Sequence, residues 1–143
     1  MSRPLLDVNV LLALLDVDHL DHERAWAWGE AALDRGWASC AVTENGFIRI
    51  ISQPRYPSPV SPSRAAELLR STRDDSDHEF WPCDVSALDP AALVTDRIHG
   101  PRQLTDAYLL ALSVHHDGRF VTFDRRISLD AVPGAEDDHL VVL

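Results

Sequence analysis

Lysine is absent from this 143-residue chain, and all 13 of its basic residues are arginine. Against them stand 23 Asp and Glu, for a formal net charge of −10. That balance excludes a protein whose whole surface attracts nucleic acid without discrimination. It leaves room for a site built of carboxylates, which adds to the negative count until a cation binds. Long hydrophobic runs are also missing: none reaches the roughly 18 to 20 residues of a membrane span. The start, MSRPLLDVNVLLALLD, places a short apolar stretch after Arg3, but Asp7 and Asn9 interrupt it. No small-residue cleavage site follows, so it reads as part of a folded, cytoplasmic protein and not as a signal peptide. Cysteine is scarce. Cys40 and Cys83 lie in strand-like runs outside any CxxC or Cys/His cluster, which predicts buried, reduced thiols. There is no GxxxxGK loop and no aspartyl-phosphate motif, so nothing supports nucleotide cradling or phosphoenzyme chemistry.

What is present is an ordinary globular composition, 45% apolar, in a length that suits a single domain over 1–143. Strand patterns alternate with helix patterns, which predicts an α/β protein built of βαβ units around a mainly parallel sheet. Strands are expected at Pro4–Asp7, Trp37–Val42, Glu79–Cys83, Arg119–Phe123 and His139–Leu143. Helices are expected directly after Asp7, over Asp21–Arg35, from a Thr43 cap to Ser52, after Ser61-Pro62, from Asp89-Pro90 to Ile98, and over Gln103–Asp117. The proline-rich QPRYPSPVSP reads as a loop.

Four carboxylates fall where such a fold places chemistry. Asp7 ends the first strand, Glu44 opens a helix after the second, Asp106 opens the late helix, and Asp124 follows RFVTF. Ligand sites in open parallel sheets form at the carboxyl ends of strands. Acids converging there repel unless a divalent cation lies among them, and this points to metal-assisted phosphodiester chemistry. Glu44 shares helical spacing with Phe47, Ile48 and Ile51, so it should sit on a core-facing stripe. Taken singly, each acid also fits a helix-terminal or turn position.

The ordered set resembles the PIN-domain ribonucleases, and in length and detail the VapC-type toxins of type II toxin–antitoxin pairs. The matching pieces are LLDVNVLLALLD, DHLDHERAW, TENGFIRI, LTDAYLLALSVHHDGRFVTFDRRI and the terminal strand. The resemblance implies a three-layer α/β/α sandwich with Asp7, Glu44, Asp106 and Asp124 as catalytic and metal ligands for Mg²⁺ or Mn²⁺. Asp7 and Asp106 would be the principal ligands, with Asn9 and Thr105 in support. It also implies cleavage of structured RNA of the tRNA or rRNA class, homodimerisation, and inhibition by a cognate antitoxin. Asn9 departs mildly from a pattern in which Ser or Thr is common.

Arg49, Arg55, Arg102, Arg125 and Arg126 are the candidate RNA-phosphate contacts. His19 and His22 superficially suggest a transition-metal site, but His22 shares helical spacing with Ala25, Trp26 and Gly29 and reads as structural. His115 and His116 read as structural or solvent-facing at a helix end, where an imidazolium suits the dipole. Trp26, Trp28, Leu68 and Leu69 add apolar surface beyond what one sheet obviously covers, which predicts an interface. The competing readings are a catalytically silent protein-binding module and a metal-dependent DNA nuclease or phosphatase on a similar frame.

Overall fold

Every residue of β1 (Pro4–Leu6) is buried, the mark of a strand covered on both faces. It lies at the centre of the sheet in the computed structural model, which describes residues 2–143. The other strands are β2 (Trp37–Cys40), β3 (His78–Trp81), β4 (Arg119–Thr122) and β5 (Leu140–Val142). The order is β3-β2-β1-β4-β5, and every pair is parallel. From β1 the chain moves outward through β2 to β3. It then returns across the sheet to set β4 on the other side of β1. The switch point of this doubly wound topology therefore falls between β1 and β4.

Helices α1 (Val8–Leu15), α2 (His22–Ala32), α3 (Ala41–Ile51) and α4 (Pro62–Asp74) cover one face. Their core joins Leu6, Trp37 and Val121 from the strands to Val10, Leu11, Ala25, Phe47, Ile51, Ala65 and Leu69 from the helices. The other face belongs to α5 (Leu104–His115), where Leu109, Leu110 and Leu112 pack with Leu5, Cys40, Trp81 and Phe120. The result is the expected three-layer sandwich.

Local chemistry explains most boundaries. Ser61 Oγ accepts from Arg64 N at 3.1 Å and Pro62 takes the first helical position, so α4 begins as predicted. Gly46 sets the approach of α3 to α1: a Cβ there would stand 2.6 Å from Val8 Cγ2.

Four expectations are corrected. α3 starts at Ala41, with Cys40 before it; Thr43 does not cap the helix from outside but reaches back, its Oγ1 accepting from Cys40 N at 3.0 Å. β3 stops at Trp81 because Pro82 cannot extend a ladder, and this leaves Cys83 exposed while Cys40 is buried. No helix forms over 89–98 apart from a short 3₁₀ turn at Thr95–Arg97. One turn closes when Leu93 N donates to Asp89 O at 3.0 Å, but Val94 N is then diverted to Ala131 O at 2.8 Å, and Leu93 is drawn into the core. Leu69 is likewise core, leaving Trp26 as the exposed tryptophan of that group. No helix among the described residues is long and apolar enough to cross a membrane.

Candidate active site

Asp7 follows β1 directly and caps α1, its Oδ1 accepting from Val8 N at 2.7 Å. Its backbone N–H continues the sheet ladder to Val121 O at 2.9 Å. The carboxylate is therefore fixed by the sheet behind it and the helix ahead. Thr122, the last residue of β4, donates from Oγ1 to Asp7 Oδ2 at 2.7 Å. The same hydroxyl oxygen accepts from Asp124 N at 3.0 Å and Asn9 Nδ2 at 3.3 Å. Asn9 Oδ1 in turn accepts from Phe123 N at 3.3 Å. This network ties the end of β4 to the start of α1 across the switch point. Asn9 joins this network through Thr122, a residue not singled out from the sequence. The available signal was its place two residues before Asp124, at a strand end facing Asp7.

Asp106 enters from the first turn of α5. Burial, then the charges of Asp7 and Asp124, push its carboxyl up to about 7. Asp7 is buried, and that burial raises it too, although the Thr122 and Val8 hydrogen bonds oppose the rise and Asp124 adds to it. Asp124 moves the other way. Arg126 grips it with two nitrogens, Nε to Oδ1 at 3.1 Å and Nη2 to Oδ2 at 3.3 Å, and holds its carboxyl below the usual range. Three carboxylates thus form one electrostatic group, with Arg126 paired to Asp124 at its edge.

Glu44 is half-buried and turned toward β2. Ser39 donates from Oγ to Glu44 Oε2 at 2.6 Å, and His78 Nε2 lies 2.8 Å from the same hydroxyl. A serine hydroxyl has one hydrogen, which goes to the carboxylate, so His78 must donate through Nε2. The charges that feel Glu44 are His78 and Arg73. The core-facing stripe holds, since Phe47 and Ile51 are buried below Glu44. The fourth acid nevertheless engages a separate polar chain from the aspartate trio. Thr105 is exposed inside α5, which begins at Leu104, and gives the site no cap.

Beside Asp106 and Asp124 opens a cleft of about 350 Å³. Ile98, Ala107, Ile127 and Ala131 give it apolar walls, and Arg97, Arg102 and Arg126 supply charge. Of the five arginines proposed as phosphate contacts, Arg102 and Arg126 line this cleft. Arg49, Arg55 and Arg125 are exposed outside this lining. Arg97 was missed, because its approach depends on the irregular 89–98 segment.

The fold is that of a PIN domain. The chain belongs to that family, which matches residues 5–133. It is similar over 141 residues, at 62% identity and with 99% of each chain covered, to Ribonuclease VapC44 of Mycobacterium tuberculosis (strain ATCC 25618 / H37Rv). Ribonuclease VapC39 of the same strain is 38% identical over 132 residues, covering 91% of this chain and 94% of its own. Ribonuclease VapC38 is 40% identical over 121 residues, 84% of each.

Proposed function

We propose that the protein is a divalent-metal-dependent endoribonuclease acting as the toxin of a toxin–antitoxin pair. The observation that carries this reading is the meeting of Asp7, Asp106 and Asp124 at the β1/β4 switch point, in a chain 62% identical to a ribonuclease. The donor set fits Mg²⁺ or Mn²⁺. It is all oxygen, it is partly buried, and the charges of Asp7 and Asp124 raise the proton affinity of Asp106, a repulsion that a hard dication would relieve. Asp7 and Asp106 would be the principal ligands, with Asp124 completing the shell and Glu44, held by Ser39, reaching it only through waters. Such a cation, when bound, activates water and stabilises charge on the phosphate and the leaving oxygen.

The chain's own residues supply the rest. Thr122 and Asn9 hold Asp7 in one orientation. Arg102 offers forked donors to phosphate at the cleft, and Arg126, whose Nε and Nη2 hold Asp124, adds its positive charge. Structured RNA is the proposed substrate, with an unstacked nucleotide entering the apolar cleft. For partners, Val17, Leu20 and Trp26 are exposed around the start of α2, a surface suited to a second copy or an antitoxin. The Arg126–Asp124 pair suggests how an antitoxin arginine would inhibit, by placing a guanidinium among the carboxylates.

The test is cleavage of structured RNA, with a DNA duplex alongside, in Mg²⁺ or Mn²⁺ and in EDTA. Asp7→Asn and Asp106→Asn should each lower the rate by about a hundredfold or more, on the scale of lost metal catalysis, with unchanged circular dichroism. Full activity of Asp7→Asn, or cleavage undiminished in EDTA, would remove the basis for this assignment.

A further inference from the structure

The far end of α5 carries a second cluster, away from the acids. His115 and His116 close the helix and its cap position, and both imidazoles turn onto one carboxylate. His115 Nε2 stands 3.3 Å from Asp84 Oδ2, and His116 Nε2 stands 3.1 Å from Asp84 Oδ1. One ligand atom from each residue can be chosen so that all lie within 4.8 Å of one another. The two short N···O separations run to different carboxylate oxygens, so a bound ion would take one nitrogen from each imidazole and one or both oxygens of Asp84.

The cluster is held in place from several sides. The His116 ring stacks on Trp81, 4.8 Å between centroids and 12° from parallel. Trp81 is itself buried, and its ring occupies the space beside Gly118, where an added Cβ would come within 2.3 Å of Trp81 Cη2. Asp84 is bracketed by Trp81 on one side and by Val85 on the other. The Val85 carbonyl accepts from Tyr108 Oη, another α5 residue, at 2.8 Å. The carbonyl end of a helix also favours a cation.

We propose that Asp84, His115 and His116 bind a divalent transition-metal ion of the zinc class at the C-terminal end of α5. Two imidazoles and one carboxylate select such ions over Mg²⁺, which prefers oxygen and retains its waters. Three protein ligands leave a further position for water. The bound ion would clamp the segment after β3 to α5, the helix that presents Asp106 at its other end. It differs in ligand type and place from the aspartate group.

The test is isothermal titration of the untagged protein with Zn²⁺ in excess Mg²⁺, followed by Co²⁺ absorption. One ion per chain is expected, with a visible Co²⁺ spectrum of low-coordinate, nitrogen-containing geometry. Asp84→Asn and His115→Ala change exposed side chains and should weaken binding by about tenfold or more. His116→Phe keeps a ring against Trp81 but removes the ligand nitrogen, and should do the same. Asp106→Asn should bind as the parent does. Absence of Zn²⁺ binding, or Asp84→Asn and His115→Ala binding as tightly as the parent, would overturn the proposal.

Discussion

Thr122 Oγ1 gives its one hydrogen to Asp7 Oδ2 at 2.7 Å, joining two residues 115 positions apart in sequence. The pair is buried, so the bond orients a carboxylate that water cannot freely turn. Its partners Asn9 and Asp124 N use the same oxygen from the other side. One hydroxyl therefore sets the geometry of two acids and of the support between them.

Replacing Thr122 by Val keeps the shape and removes the hydroxyl. Stability should fall by about 1–3 kcal/mol, the cost of leaving buried partners unmatched. Metal affinity should fall by about tenfold or more, as when an orienting neighbour of a ligand is lost. Thr122→Ser should restore most of both, by titration and by denaturant unfolding. A serine variant no better than valine would show that methyl packing, not the hydroxyl, matters here.

Without metal, stability should depend on pH in a defined window. The Asp106 carboxyl is raised from 3.8 to about 7, so the folded chain binds the proton more tightly than the unfolded one. Stability from this group is full below about pH 4 and is lost as pH rises through 7. Asp7 shifts in the same direction. In EDTA, melting temperature should therefore drop between pH 5 and pH 8. After discounting for solvent screening, the change is about 1–2 kcal/mol. Asp106→Asn should flatten the profile, and Mg²⁺ should restore stability at the upper end. A profile in Asp106→Asn as steep as the parent's would assign the effect elsewhere.

His22 is structural in the fold: its Nδ1 lies 2.7 Å from Ala13 O, and its ring lies 5.7 Å from Trp26. His22→Ala should lower stability by about 1–2 kcal/mol through the lost hydrogen bond and packing. RNA cleavage per folded molecule and metal affinity should not change. A tenfold loss of metal affinity at unchanged stability would move His22 into the site.

Much of this arrangement is legible in the sequence because strand ends and helix starts are local. Asp7, Asp106 and Asp124 each follow or open a recognisable element, so their meeting follows from the sheet rule. Glu44 shows where local reading stops. Its spacing with Phe47 and Ile51 is correct, but its partners Ser39 and His78 meet only through the pairing of β2 with β3. The 89–98 segment fails for a related reason. A long-range bond from Val94 N to Ala131 O outcompetes the helical pattern begun at Asp89. Arg97 reaches the cleft only as a result, and no spacing rule would place it there.

The position of β4 has a consequence for the order of events during synthesis. β1 emerges first, yet one of its edges waits for Arg119–Thr122, more than a hundred residues later. Asp7 has no Thr122 to bond, and the aspartate group has no third member, until the chain has grown past residue 124. Domains form from the N-terminus as synthesis proceeds, and here the set of acids is completed only after β4 has been made. A ribosome making this protein thus carries a growing chain whose aspartate group is incomplete until Asp124 has been added.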